Sequence, residues 1–166
     1  PIVPNVVFTN ESCFGACDGT AGATPSGAIG PFTYDWAPDP ISGDGTANVT
    51  DLCAGNYTVL ITDQSSGCDT LVAFTIGGPP ALIVQLMTTE VSCNAGCDGT
   101  ASVIVSGGTP GYTITWLPPG TNPLQLCAGS YSVNVLDFAG CDTTIAFTIT
   151  APPPIAPTPT HTDATC

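Results

Sequence analysis

The feature that most constrains the fold is an internal repeat. The sequence SCFGACDGT at residues 12–20 returns as SCNAGCDGT at 92–100, an offset of 80 residues. LCAGNY at 52–57 returns as LCAGSY at 126–131, and GCDT at 67–70 returns at 140–143. These later offsets are 74 and 73 residues, so the first copy is seven residues longer, and the extra residues fall in predicted loops. Such a chain is expected to fold as two similar modules.

The repeat also sets the predicted domain boundaries. We expect a first module at residues 1–79, a second at 80–152, and a linker with the start of a third at 153–166. The last expectation rests on PIAP at 154–157, which echoes PIVP at 1–4. In this interpretation Cys166 is the first cysteine of a third module and its partner lies outside this segment. The chain is expected to be part of a tandem array.

Each copy has the pattern of a small all-β module. No stretch of ten residues shows the apolar period of a helix, whereas Tyr57, Val59 and Ile61 alternate with residues of the opposite face. We expect about six or seven short strands per copy, with Trp36 and Trp116 on a middle strand. This spacing is typical of an immunoglobulin-like fold. The prediction is two tandem immunoglobulin-like β-sandwich repeats, stapled by disulfides and joined by Pro-rich linkers.

The cysteines indicate an oxidising compartment and a disulfide framework, because nine of them occur in 166 residues. A strand over residues 57–63 would hold Cys53 and Cys68 roughly 23 Å apart, too far for a bond. Two pairings stay open: Cys13–Cys68 with Cys17–Cys53, or Cys13–Cys53 with Cys17–Cys68. The immunoglobulin-like topology favours Cys17 with Cys53. The cysteines of the two copies, in the order first to fourth, are Cys13, Cys17, Cys53 and Cys68, then Cys93, Cys97, Cys127 and Cys141.

The charge composition excludes many functions. The chain has no Lys and no Arg against 13 acidic residues, a formal net charge of −13. Phosphates and nucleic acids are bound through cationic side chains, and Lys-dependent catalysis needs a lysine. The longest apolar stretch, residues 81–87, is too short to span a bilayer. We therefore expect no enzyme, no cofactor, no nucleic-acid partner and no direct membrane span.

Metal binding is not expected either. The cysteine spacing lacks the paired knuckles of a zinc site, and the single histidine, His161, lies in a Pro/Thr-rich linker. The Asp-Gly pairs at 18–19, 44–45 and 98–99 lack the alternating carboxylates of a calcium loop and are interpreted as turns.

The order of these motifs resembles the SprB-type repeat. The resemblance is carried by Ser-Cys-x-x-x-Cys-Asp-Gly-Thr, a Tyr/Phe-Thr-x-x-Trp strand, Leu-Cys-Ala-Gly-x-Tyr and Gly-Cys-Asp, which occur in that order in both copies. The family occurs in very large cell-surface proteins of Bacteroidota, including gliding-motility adhesins. The resemblance implies an immunoglobulin-like fold, secretion to the cell surface, and a role in stalks, filaments or adhesion.

Covalent glycans are expected on this chain. Asn10, Asn48 and Asn56 fit the N-linked acceptor pattern. The resemblance to a bacterial family instead implies O-linked modification at Asp-Thr/Ser sites, for which Thr70 and Thr143 are the candidates.

The predicted function is that of a non-catalytic structural repeat of an extracellular filament or giant adhesin stalk. Its expected partners are neighbouring copies of the same chain or repeat. One alternative is a carbohydrate-binding module in which Trp36, Trp116, Tyr34 or Tyr112 stacks on sugars. Another is a pilin-like subunit that polymerises by strand donation.

Overall fold

The computed structural model describes residues 1–158 and is built of β-strands, as predicted. None of these residues lies in a helix long and apolar enough to cross a membrane. The strands of the first copy are β1 (Val6–Thr9), β2 (Gly19–Ala23), β3 (Phe32–Ala37), β4 (Asn48–Leu52), β5 (Gly55–Asp63) and β6 (Asp69–Ile76). Those of the second are β7 (Ile83–Thr89), β8 (Thr100–Ser106), β9 (Thr113–Leu117), β10 (Gly129–Leu136) and β11 (Asp142–Ile149).

The first copy forms two antiparallel sheets, with strand orders β1-β2-β4 and β3-β5-β6. An immunoglobulin sandwich has strands A, B and E in one sheet and C, F and G in the other. The six strands occupy these positions in sequence order, and no strand occupies the D position within residues 1–158. Both sheets contribute side chains to one core, whose buried members are Ala21, Ala23, Trp36, Val49, Leu52, Val59, Ile61 and Ile76.

Strand β5 shows why the alternating pattern specifies this packing. Val59 and Ile61 are fully buried, while Thr58, Leu60 and Thr62 beside them are half-buried, because successive side chains point to opposite faces. At the start of the strand, the Tyr57 hydroxyl donates a hydrogen bond of 3.0 Å to the Cys53 carbonyl. Tyr131 makes the same contact with the Cys127 carbonyl, at 3.1 Å. This tyrosine corner and the buried Trp36 on β3 are immunoglobulin features, so the predicted fold class is confirmed.

The second copy has the same plan with one strand fewer. Its sheets are β7-β8 and β9-β10-β11. At the position of β4 there is a single bridge between Gly99 and Leu126. The chain from the tryptophan to the third cysteine is shorter in this copy, which leaves too few residues for both the connection and a strand.

The described residues divide into two compact units that differ in extent from the sequence copies. Unit 1 contains Pro1–Ile83, Ser106–Tyr112 and Asp137–Cys141. Unit 2 contains Val84–Val105, Thr113–Leu136 and residues 142–158. Two loops of the second sequence copy thus belong to unit 1, a departure from boundaries at residues 79 and 152. The core cluster of unit 2 contains the buried side chains of Val91, Ala101, Leu126 and Ile149.

Candidate functional site

The connection between β1 and β2 carries the first two cysteines and is closed by an aspartate. Asp18 accepts hydrogen bonds from the Ser12 backbone N–H, at 2.8 Å, and from the Ser12 hydroxyl. The Ser12 hydroxyl, followed by its N–H, lowers the pKa of Asp18 below the ordinary value of 3.8. Asp98 accepts the equivalent bond from the Ser92 N–H at 2.9 Å, and Ser92 lowers the pKa of Asp98 in the same way.

The glycine that follows this aspartate begins a strand. A Cβ on Gly19 would lie 2.8 Å from the Leu52 carbonyl oxygen and 3.1 Å from that of Thr9. There is no room for a side chain at Gly19 because the neighbouring strands β1 and β4 approach closely. The Asp18 carboxylate is hydrogen-bonded to Ser12. The interpretation of this Asp-Gly pair as a turn is therefore incomplete.

The second and third cysteines of each copy are bonded to each other. The disulfides Cys17–Cys53 and Cys97–Cys127 close segments with sequence separations of 36 and 30 residues. Each joins the loop before the second strand of its copy to the chain just before the Tyr-bearing strand. This is the pairing that the topological argument favoured for Cys17 and Cys53.

The first cysteine of the first copy is bonded to the fourth cysteine of the second copy. In unit 1 the Cα atoms of Cys13 and Cys141 lie 5.7 Å apart, within the usual disulfide range of roughly 4.4–6.8 Å. Both sequence-based alternatives assumed that the four cysteines of one copy pair among themselves, and for Cys13 this assumption is wrong. Cys68 and Cys93 have free, exposed thiols, whereas both were predicted to form disulfides. Cys166 lies outside the described residues, as does His161.

A buried aspartate shapes the turn that carries each fourth cysteine. Asp137 accepts hydrogen bonds from the Thr109 N–H at 2.8 Å and the Cys141 N–H at 2.9 Å, and its own N–H donates to the Cys141 carbonyl. The Thr109 N–H is the main cause of the lowered pKa of Asp137. In the first copy, Asp63 donates its N–H to the Cys68 carbonyl at 2.9 Å. The Ser65 N–H is the main cause of the lowered pKa of Asp63.

Glu11 is a buried carboxylate that sequence reasoning missed. Its side chain, 6% exposed, accepts hydrogen bonds from the N–H groups of Gly15, Cys17 and Ala54, at 3.3, 3.1 and 2.9 Å. Three peptide groups of two loops are thereby satisfied by one side chain. The second copy has Val91 at the equivalent position, so the repeat itself offered no signal for this role.

One cluster has the residue types of a metal site. Glu11, Cys17 and Cys53 place a carboxylate oxygen and two sulfur atoms within 4.8 Å of one another. The two sulfur atoms are joined in a disulfide, however, and a metal-binding cysteine must be a thiolate. This cluster is therefore assigned to the disulfide framework.

The aromatic candidates for sugar stacking differ in exposure. Trp36 is 1% exposed, and its indole N–H donates to the Thr46 carbonyl at 2.8 Å, so its faces are covered by the core. Trp116 is half-buried and packs edge-on against Phe147. Tyr34 and Tyr112 are half-buried as well, and the hydroxyl of Tyr112 donates to the Gly107 carbonyl.

The glycan candidates lie on strands and loops of differing accessibility. Asn10, Asn48 and Asn56 are exposed. The amide oxygens of two of them accept hydrogen bonds, from the Gly77 N–H to Asn10 and from the Thr75 hydroxyl to Asn56. Thr70 and Thr143 are half-buried, on the core-facing sides of β6 and β11.

Comparison with known proteins identifies the repeat. The sequence model of one family, described as the SprB repeat, matches residues 5–39 and 87–121. Both copies of the internal repeat are therefore similar to the SprB repeat. Each matched region contains the first and second cysteines and the tryptophan of its copy, so the resemblance seen in the sequence is confirmed. These two matches and the disulfides fit a structural, extracellular repeat of a surface protein, and suggest a non-catalytic one.

Solved structures with similar folds have low sequence identity. One contains three N-terminal domains of the Highly Immunogenic Outer Capsid protein (Hoc) of bacteriophage RB49, with 22% identity and a TM-score of 0.46. Another contains the N-terminal eight Ig domains of Down Syndrome Cell Adhesion Molecule (DSCAM), with 16% identity and a TM-score of 0.44. The comparisons cover 91% and 92% of this chain but 59% and 25% of those chains. No curated protein matches the sequence.

Proposed function

We propose that this chain is a non-catalytic structural segment of an extracellular filament or of a giant adhesin stalk at the cell surface. The observation that carries the proposal is the tandem occurrence of two regions that match the SprB repeat, each in a sequence copy with its own internal disulfide. A linear role suits such modules, because repeats joined in series extend a chain by equal steps. The SprB-type resemblance further supports a gliding-motility adhesin as the parent protein.

The stabilising contacts support a load-bearing role. Each Cys-Cys staple removes loop entropy from the unfolded chain, about 4 kcal/mol in the chain-entropy description, which is comparable to the stability of a small domain. The absence of Lys and Arg leaves no site for trypsin-like proteases. Both properties favour persistence outside a cell.

Immunogold electron microscopy on intact source cells tests the proposal. Antibodies against the folded chain are expected to label filaments or stalks outside the outer surface without permeabilisation. Pre-immune serum and labelling of permeabilised cells are the controls. Label found only after permeabilisation would contradict the proposal.

The mass of the native protein separates the proposal from strand donation. A stalk made of covalent repeats has a mass far above the 16.6 kDa of this segment and keeps that mass in denaturant with reductant. A fibre of strand-donating subunits would dissociate into single small chains under those conditions.

A glycan array with the folded chain tests the carbohydrate-binding alternative, for which the buried Trp36 offers no stacking face.

A further inference from the structure

We propose that Cys93 forms a disulfide with the fourth cysteine of the next SprB repeat in an array, and that Cys68 pairs with the first cysteine of the preceding one. The bond Cys13–Cys141 would then be one step of a ladder that links each repeat to its successor. The proposal deepens the structural role proposed above and rests on it in requiring an array. Its test is carried out in vitro, so failure on cells and failure of the ladder are separate results.

The repeat supplies the first argument. Cys13 and Cys93 are equivalent in sequence, and so are Cys68 and Cys141. The bond Cys13–Cys141 joins a first cysteine to the fourth cysteine of the following copy. The same rule leaves Cys93 and Cys68 unpaired within this chain, and these are the two free thiols among residues 1–158.

The surroundings of Cys13 show what a partner repeat contributes. In unit 1 the turn ending at Cys141 is held by Asp137, and the Cys141 sulfur lies 3.5 Å from the Ser12 carbonyl oxygen. The glycine-rich loop of the second copy reaches the linker of unit 1, where the Gly108 N–H donates to the Pro80 carbonyl at 2.9 Å. Two loops of the following copy therefore cover the first cysteine and the linker beside it.

The equivalent place in unit 2 is open. A cavity of about 460 Å³ is lined by Ser92, Cys93, Asn94 and residues 152–155. These residues correspond to residues 12–14 and 79–82, the positions that carry Cys13 and the linker contact in unit 1. The cavity thus has a first cysteine with a free thiol and the linker beside it, as at Cys13 in unit 1, but no loops of a following copy within residues 1–158.

The first copy presents the complementary surface. Cys68 is exposed at the end of a turn in which the Asp63 N–H donates to the Cys68 carbonyl, as Asp137 does to Cys141. Gly27, equivalent to Gly107, lines the same cavity as Asp63 and Cys68. The two loops that the second copy contributes beside Cys13, a glycine loop and a cysteine turn held by an aspartate, thus have equivalents around Cys68.

Bond formation needs a two-electron oxidant, and a small-molecule disulfide such as oxidised glutathione provides it. The thiolate of Cys93 attacks the glutathione disulfide, forms a mixed disulfide and releases one reduced glutathione. The thiolate of the fourth cysteine then displaces the second glutathione. Two protein thiols and one glutathione disulfide become one protein disulfide and two glutathione thiols.

The first experiment maps the disulfides of the chain itself. Free thiols are alkylated before proteolysis at acidic and aromatic residues, and the peptides are identified by mass spectrometry. We expect Cys13–Cys141, with alkylated Cys68 and Cys93. Pairing within copies, Cys13–Cys68 with Cys93–Cys141, would overturn the proposal.

The second experiment builds the next junction. Residues 1–153 are fused to residues 1–166, which keeps the register because PIAP at 154–157 matches PIVP at 1–4. Cys166 is replaced by Ser, and the fusion is refolded with reduced and oxidised glutathione. We expect a disulfide between Cys93 of the leading chain and Cys68 of the trailing chain. Only two thiols would then be alkylated instead of four, Cys68 of the leading chain and Cys93 of the trailing chain.

A matched variant gives the control. Cys68→Ser in the trailing chain is expected to restore alkylation of the leading Cys93, and the same substitution in the leading chain is expected to leave the junction bonded. Four alkylated thiols in the parent fusion, or bonds between cysteines of the same class, would overturn the proposal. Because the Cys68 side chain is exposed, its replacement by Ser is expected to leave the fold intact.

Discussion

Several carboxylates in this protein organise backbone in loops. Glu11 binds three peptide N–H groups, Asp18 closes the first cysteine loop, and Asp137 holds the turn of Cys141. In a chain without Lys or Arg, these acids find hydrogen-bond donors in the main chain instead of cationic partners. The composition that excludes ion pairs with Lys or Arg therefore directs these acids to loop backbone.

Replacing Glu11 should destabilise unit 1 specifically. Glu11→Ala leaves three loop N–H groups without their acceptor, and we expect the free energy of unfolding to fall by about 3 kcal/mol. Urea denaturation followed by Trp36 fluorescence, in a Trp116→Phe background, measures unit 1 alone. The control is the exposed Asp39→Ala, for which a change within about 0.5 kcal/mol is expected. Equal effects of the two substitutions would contradict the role of Glu11.

The aspartates that accept hydrogen bonds in loops predict that the protein loses stability in acid. Backbone and hydroxyl donors lower the pKa values of Asp18, Asp63, Asp98 and Asp137 below the ordinary 3.8. The unfolded chain therefore takes up protons at higher pH than the folded chain. We expect the stabilisation by these aspartates to be fully present at pH values above 3.8. It should be lost as the pH falls through their lowered pKa values in the folded state.

Urea midpoints measured from neutral pH into strong acid check this expectation. The paired substitution Asp18→Asn and Asp98→Asn should lower the midpoint at neutral pH and reduce its further loss in acid. A midpoint that is unchanged or higher in acid would contradict the assignment.

At the scale of elements, loop length decides how well the core of each copy is closed. The connection from β3 to β4 lies beside Trp36, where Thr46 accepts the indole N–H and Asp44 accepts the backbone N–H at 3.3 Å. The shorter connection of the second copy ends in one bridge at Leu126, and Trp116 stays half-buried. The two tryptophans are equivalent in sequence but not in environment.

Fluorescence quenching should distinguish the two tryptophans. In Trp116→Phe only Trp36 emits, and in Trp36→Phe only Trp116 emits. We expect acrylamide to quench Trp116 several-fold faster, because Trp36 is 1% exposed. Unfolding each variant in denaturant should make the quenching rates of the two tryptophans equal. Equal quenching in the folded proteins would contradict the different burial of Trp36 and Trp116.

The internal staples should contribute equally to their units. Their separations of 36 and 30 residues correspond to about 4 kcal/mol each in the chain-entropy description. Cys17→Ser with Cys53→Ser is expected to destabilise unit 1, and Cys97→Ser with Cys127→Ser to destabilise unit 2, by similar amounts. Single-tryptophan unfolding curves measure each loss in turn. A loss in only one unit would show that one staple is redundant.

At the scale of the whole molecule, Cys13–Cys141 is the disulfide among residues 1–158 that spans the most sequence, with a separation of 128 residues. The chain-entropy description gives it about 5 kcal/mol, more than either staple. Cys13→Ser with Cys141→Ser should therefore lower the stability of unit 1, as reported by Trp36. The double variant Cys68→Ser with Cys93→Ser keeps the three disulfides of residues 1–158 and should match the parent protein. Identical curves for both double variants would contradict a stabilising role for Cys13–Cys141.

The sequence alone determined the features that depend on local pattern. Period-two alternation placed Val59 and Ile61 on one face of a strand, and the repeat established two modules of one kind, because both follow from side-chain order along the chain. It could not reveal the role of Glu11, which accepts a hydrogen bond from the N–H of Ala54, 43 residues away in the sequence. Only the tertiary structure decided that Cys13 bonds to Cys141. Disulfide partners are selected by distance in space, and the fold brings together thiols that the repeat assigns to different copies.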